Sequence, residues 1–166
     1  MSMDELKNLM ESALAKTPEE VKDDLPEIFK KLEEVGIGNL IDKYPDLLPN
    51  VFTKMFEATD AFIQTDNATK KKMDKIGAIT IGFDYTDAPF KGYMGVKDGH
   101  LVGGSFLPDD YDIKLVGPIT ELIGIISGGG NPMQTMMGGK IKLEGDMQKA
   151  MKMMPVMTAI MTFVKS

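Results

Sequence analysis

Ile79-Thr80-Ile81-Gly82-Phe83-Asp84-Tyr85 is the stretch on which the fold turns. Every second residue is large and apolar, and those between are Thr, Gly and Asp. Strand side chains alternate between two faces, so this spacing predicts a strand with one buried face. Downstream the same period continues. Thr86-Asp87-Ala88-Pro89 turns the chain, and Phe90, Gly92, Met94 and Val96 share the next face. Asp98-Gly99 is a strong two-residue hairpin signal, and His100–Leu107 returns as a strand. Pro108-Asp109-Asp110 turns again before Tyr111, Ile113 and Leu115. Ile141 and Leu143, set among Lys140, Lys142 and Glu144, make the last run. The prediction is an α+β fold with a mainly antiparallel sheet of five strands over residues 76–145. The successive runs are read as a meander.

Upstream the apolar period is that of a helix, and residues 3–63 read as helical. From Asp4 to about Lys16, Leu6, Leu9, Met10, Ala13 and Leu14 recur at helical spacing. Thr17-Pro18-Glu19-Glu20 restarts the helix: Thr17 caps, Pro18 suits the first turn, and Glu20 completes a capping box. Val21, Leu25, Ile28, Phe29, Leu32 and Val35 form its apolar face, and Gly36-Ile37-Gly38 ends it. Beyond Pro45 a further stripe carries Leu48, Val51, Phe52, Met55, Phe56, Thr59 and Phe62, with Pro49 in the first turn. Residues 1–45 are expected to be an N-terminal helical extension, and residues 46–166 the main domain. The extension should pack on that domain or on a second copy, since its stripe would otherwise stand in water. Lys70-Lys71-Lys72 reads as the solvated end of a linker.

After the fourth strand, Pro118 opens a short helix with Ile119, Leu122, Ile123 and Ile126, ended by Ser127-Gly128-Gly129-Gly130. Asn131-Pro132 starts another turn of helix. Asp146 caps a final helix over 147–163, which Pro155 should bend or break.

Composition excludes much chemistry. The chain has 166 residues, 25 acidic against 19 basic for a formal charge of -6, and that balance argues against a nucleic-acid partner. Zero Cys removes disulfides, thiolate metal sites and a Cys nucleophile. A single His removes a His-pair metal site, so neither a metal nor a redox cofactor is expected. Gly139-Lys140 is followed by Ile141 rather than Ser or Thr, which excludes a phosphate loop. Gly103-Gly104-Ser105 lacks the second glycine of a nucleophile elbow, with Leu107 in its place. His100 reads as a surface residue, and Asp109, Asp110 and Asp112 as a solvated turn rather than a cation loop. With no catalytic constellation, the chain is expected not to be an enzyme. No apolar stretch reaches the ~20 residues of a spanning helix. Met1–Glu5 lacks a signal core, and the last residues are not Ser-Lys-Leu, so the expected location is cytoplasmic.

Methionine carries the positive signal. Nine of 15 Met fall in residues 133–161. On the final helix Met147, Met151, Met154, Met157 and Met161 recur at three-to-four spacing. Met is flexible and polarisable, so it specifies a packed core poorly but adapts to ligands of varied shape. Such a wall suits a cavity receiving acyl chains or sterols, and ordinary core packing remains the other reading.

The stretch from Ser127 through Asn131-Pro132-Met133, Gly139-Lys140-Ile141 and Gly145-Asp146-Met147 to Met151-Lys152 resembles the C-terminal signature of the sterol carrier protein type-2 family. The strands Ile76–Tyr85, Phe90–Lys97, Leu101–Leu107 and Tyr111–Val116 follow in the family's order, and the resemblance covers about residues 47–163. It implies a five-stranded sheet covered on one side by helices, with a lipid tunnel between. Carried over by position, Met133, Met136, Met137, Ile141, Met151 and Met154 are the site residues of the matching motif. Strand alternation adds Phe83, Met94 and Phe106, and the helix before the turn adds Ile123 and Ile126. The expected function is non-catalytic binding and transfer of a fatty acid, fatty acyl or sterol-like lipid. The alternative is an interaction module whose apolar groove takes a partner helix or a dimer mate. A small enzyme acting on acyl thioesters is a third reading, disfavoured by the missing nucleophile and base. The partners this admits are a lipid or fatty acyl ligand, transient contact with a membrane, and a second copy of the chain.

Overall fold

The change of period near residue 79 is also the change of architecture. The computed structural model describes residues 3–126 and 138–164. Five helices come first: α1 Met3–Leu14, α2 Pro18–Val35, α3 Ile37–Lys43, α4 Leu47–Thr65 and α5 Asn67–Ile76. There follow β1 Ile79–Tyr85, β2 Gly92–Lys97, β3 His100–Gly104, β4 Ile113–Gly117, α6 Ile119–Ile126 and β5 Lys142–Gly145. We number the last two helices α7, Met147–Lys152, and α8, Met154–Val164.

Local chemistry sets several boundaries. Thr17 and Glu20 form the capping box of α2, Glu20 N donating to Thr17 Oγ1 at 3.4 Å and Thr17 N to Glu20 Oε1 at 3.3 Å. Gly36, at φ 86°, ends α2. The chain then re-enters helix at once, because α3 buries Ile37, Leu40 and Ile41. The lysine run belongs to α5 and not to a linker. Thr69 and Met73, one turn apart, are its only buried residues, too few to register as an apolar stripe. Asp98 at φ 53° and Gly99 at φ 79° make the tight turn between β2 and β3. Asp87, in the turn after β1, caps α6 by accepting from Ile119 N at 2.8 Å. The final helix is two helices that meet at Met153. Pro155 falls in the first turn of α8, where its missing N–H costs nothing.

The sheet is ordered β3-β2-β1-β4-β5. Three pairings are antiparallel, and β1 pairs with β4 in parallel, from Ile81 opposite Ile113 to Tyr85 opposite Gly117. The meander expectation is therefore corrected: after β3 the chain crosses back to the far side of β1. The physical reason lies in β1, where Ile79, Ile81, Phe83 and Tyr85 are all buried. A strand so buried needs both backbone edges paired. The crossing runs over the outer face of the sheet through residues 105–112. Phe106 packs on Tyr93 with ring centroids 4.8 Å apart. Leu107 lies over Gly82, where any Cβ would come within 2.6 Å of its Cδ1.

The helices cover the other face. α4 lies along β3 and is tied to it at several points. Ser105 Oγ donates to Pro49 O at 2.8 Å, Leu101 N to Asp60 Oδ1 at 2.8 Å, and Gln64 Nε2 to Gly99 O at 3.0 Å. Phe56 seats on Gly103, where a Cβ would stand 2.4 Å from its ring. α2 packs along α4, α6 against β1 and β4, and α8 against α2 and α5.

Asp112 pins the end of the crossing. Its Oδ2 accepts from Thr80 N at 2.8 Å and its Oδ1 from Lys149 Nζ at 2.8 Å. The Lys149 ammonium and the Thr80 N–H hold this carboxyl below its ordinary pKa. A group with a depressed folded pKa adds stability above its unfolded value, and that stability is lost as pH falls through the folded value. Asp112→Asn should lower stability at pH 7 by about 1 kcal/mol. In denaturant titrations, the gap from the parent should narrow as pH falls below the ordinary aspartate pKa and through the lowered folded one. A gap that does not change with pH would contradict this linkage.

Candidate functional site

The inner face of the sheet and its helical cover do not close on each other everywhere. Between them is a cavity of about 50 Å³, counted as space open to the centre of a water molecule. Including its mouth, the void among the lining atoms is about 710 Å³. By the first measure a few waters would fill it, so any larger guest must displace side chains to enter.

Its walls come from every layer. α4 contributes Phe52, Met55, Phe56 and Thr59, three to four residues apart and so on one face. The sheet contributes Tyr85, Met94, Leu101 and Gly104. α2 adds Phe29 and Leu32, α6 adds Ile123, and α8 adds Met157 and Ile160. None of these residues is charged. Met55, Met94 and Met157 are the pliable part of the lining, since an unbranched thioether chain can change shape at little cost. The Thr59 hydroxyl donates to Met55 O at 2.8 Å. Tyr85 stands between aromatic rings, Phe83 at 6.1 Å and Phe90 at 5.6 Å between centroids. Burial pushes its phenol pKa above the usual value, so the group is neutral at pH 7.

The structure brings Met94 and Ile123 of the sequence-predicted residues to this cavity. Phe83 is fully buried beside Tyr85, and Ile141 packs against Gly117, neither of them among the lining residues. Phe106 is 59% exposed on the opposite face of the sheet. β3 ends at Gly104, and its inward positions are Leu101 and Gly103, so residue 106 has the outward parity. Met151 and Met154 are 56% and 40% exposed at the α7–α8 junction. The break at Met153 interrupts the single helical face on which the stripe was read. Met133, Met136 and Met137 lie outside the described residues, as does the side chain of Ile126.

The remaining lining residues were legible only as apolar faces. Phe29 and Leu32 belong to the stripe of α2, the four α4 residues to its stripe, and Tyr85 to the alternation of β1. Periodicity marks what faces inward. It does not separate a packed contact from the wall of a void.

Among the described residues no three His, Cys, Asp or Glu side chains cluster as a metal site, and no helix is long and apolar enough to cross a membrane. The sequence model of the SCP-2 sterol transfer family matches residues 59–158. No curated protein matches the sequence. Among solved structures, the chain is similar to a protein described as the UbiJ-SCP2 ubiquinone synthesis protein. That match has a TM-score of 0.55 and 9% identity, covering 70% of this chain and 93% of that one. It is also similar to the sec-alkylsulfatase Pisa1 from Pseudomonas sp., with TM-score 0.49 and 15% identity. The match covers 79% of this chain but only 17% of that one. The sterol carrier protein domain 2 of Helicoverpa armigera has 23% identity and a TM-score of 0.47, covering 66% of this chain and 87% of that one. The ubiquinone synthesis protein shows the shared fold.

A void can be filled without strain, whereas a packed core cannot. Ile123→Phe should leave the unfolding free energy within about 0.5 kcal/mol of the parent while weakening lipid binding. Destabilisation of ~1–3 kcal/mol, the usual cost of overpacking, would mean that this side chain borders no usable space.

Proposed function

The chain belongs to the SCP-2 sterol transfer family, and from that premise we propose that it is a non-catalytic carrier of fatty acyl or sterol-like lipids. The observation that carries this reading is the cavity between sheet and helices, whose described lining residues carry no charge. Each methylene moved from water into such a space contributes about 0.8 kcal/mol. An acyl chain thus supplies most of its own binding energy, and discrimination between chains differing by one methylene is weak. Among the described lining residues the only side-chain polar groups are the Thr59 and Tyr85 hydroxyls, with no base among them to activate either. That supports carriage rather than turnover.

The extension takes part in the same work. Phe29 and Leu32 precede the segment matched by the family, yet they close one side of the cavity. Transfer also requires contact with a membrane, and the exposed Met151 and Met154 are apolar groups that such contact would cover.

Delipidated protein should bind a fluorescent long-chain fatty acid saturably at one per chain. Lengthening competing acyl chains by two methylenes should tighten binding on the order of tenfold. An acyl thioester incubated with the protein should remain intact. Absence of saturable binding would reject the carrier reading, and thioester hydrolysis above the buffer rate would reject its non-catalytic character.

A further inference from the structure

Tyr85 is out of keeping with the cavity it borders. The residue is 2% exposed, its ring is held between Phe83 and Phe90, and its phenol is neutral. Among the described residues its hydroxyl has no hydrogen-bond partner. Buried tyrosine hydroxyls are normally satisfied, because an unpaired one loses its hydration without compensation. No fully enclosed side-chain oxygen or nitrogen lacks a partner among the described residues. The Tyr85 oxygen is therefore open to a space, and the space its residue borders is the cavity. Room for it is provided by Gly92, where a Cβ would stand 2.9 Å from the Tyr85 oxygen. The other lining hydroxyl is committed as a donor, Thr59 giving its proton to Met55 O at 2.8 Å. Tyr85 thus presents the one uncommitted side-chain donor among the described lining residues.

A donor in an uncharged setting selects its partner. It can satisfy an uncharged oxygen of an alcohol, ether, ester or ketone. A carboxylate taken to the same depth would lose its hydration, with no cation among the described lining residues to replace it. Resting on the carrier reading above, we propose that Tyr85 is the polar anchor of the cavity, and that the lipid it holds is a neutral one bearing an uncharged oxygen beside a long apolar body. A fatty acid anion would bind with its carboxylate left at the mouth and would not use this hydroxyl.

The variant Tyr85→Phe removes the donor and keeps the ring. The probes are 1-hexadecanol, hexadecane and palmitate at about pH 8, each competing against a fluorescent acyl probe on the full, delipidated chain. Tyr85→Phe should bind 1-hexadecanol about 3- to 10-fold more weakly, the worth of one neutral hydrogen bond. Its affinities for hexadecane and palmitate should stay within about twofold of the parent. The ligand-free variant should melt at the same temperature as the parent or higher, because its lost hydroxyl had no protein partner. Unchanged hexadecanol binding would overturn the anchor and leave the carrier reading standing. So would an equal loss for hexadecanol and hexadecane, which would assign the effect to shape. A lower melting temperature would reveal a protein partner for the hydroxyl and overturn the anchor as well. If the parent binds none of the three, both readings fall together.

Discussion

The seating of α4 on β3 is the contact from which the rest of the molecule is built. Phe56 rests on the bare backbone of Gly103, and a larger residue there would force its ring to shift. Around that point Ser105, Leu101 and Gln64 tie the two elements with hydrogen bonds, and Asp60 also holds His100 Nδ1 at 2.9 Å. The bond from Leu101 N matters twice. β3 is an edge strand, and its outward N–H would otherwise invite another chain to pair. With α4 fixed along this edge, its Phe52, Met55 and Thr59 are aimed across the sheet toward Tyr85 and Met94. The cavity is the space that this placement leaves.

Everything outside α4 completes that enclosure. α2 packs on α4 and contributes Phe29 and Leu32, so the N-terminal helices are a wall of the cavity as well as a cover for the core. α6 is held by Asp87 from the turn after β1, which sets Ile123 over the inner face. α8 begins after the break at Met153, and its Met157 and Ile160 reach the void. Three methionines from three different layers meet there. Their flexibility would let a space of about 50 Å³ at rest widen around a guest larger than itself. A wall of branched side chains in fixed rotamers would resist that change.

Local features were legible in the sequence and non-local ones were not. The Asp98-Gly99 turn, the Thr17–Glu20 box and the alternation from Ile79 to Tyr85 each depend on a few neighbouring residues. The parallel pairing of β1 with β4 depends on residues more than 30 positions apart, and nothing in either strand's own pattern names its partner. α5 escaped notice because its only buried residues are Thr69 and Met73. The site divides along the same line. Met94 and Ile123 were placed by alternation and by helical stripe. Phe106 faces away because it shares the outward parity of Gly104 rather than the inward one of Leu101 and Gly103, and Met151 and Met154 face out because Pro155 splits the helix on which their stripe was drawn. Tyr85 was visible only as one more inward position of β1. The missing partner for its hydroxyl is a property of the assembled walls, which no spacing records.

The central claim is that the lipid chain lies between the sheet and α2, α4, α6 and α8. Methionine methyl resonances test it most directly, since the probes are already in place. Met55, Met94 and Met157 border the cavity, Met10 and Met73 are fully buried elsewhere, and Met151 and Met154 are on the surface. Titration of protein labelled at the methionine methyls with a long-chain lipid should shift Met55, Met94 and Met157 saturably and together. Met10 and Met73 should stay nearly still. Shifts confined to Met151 and Met154, or shifts that never saturate, would place the lipid on the surface and contradict the account.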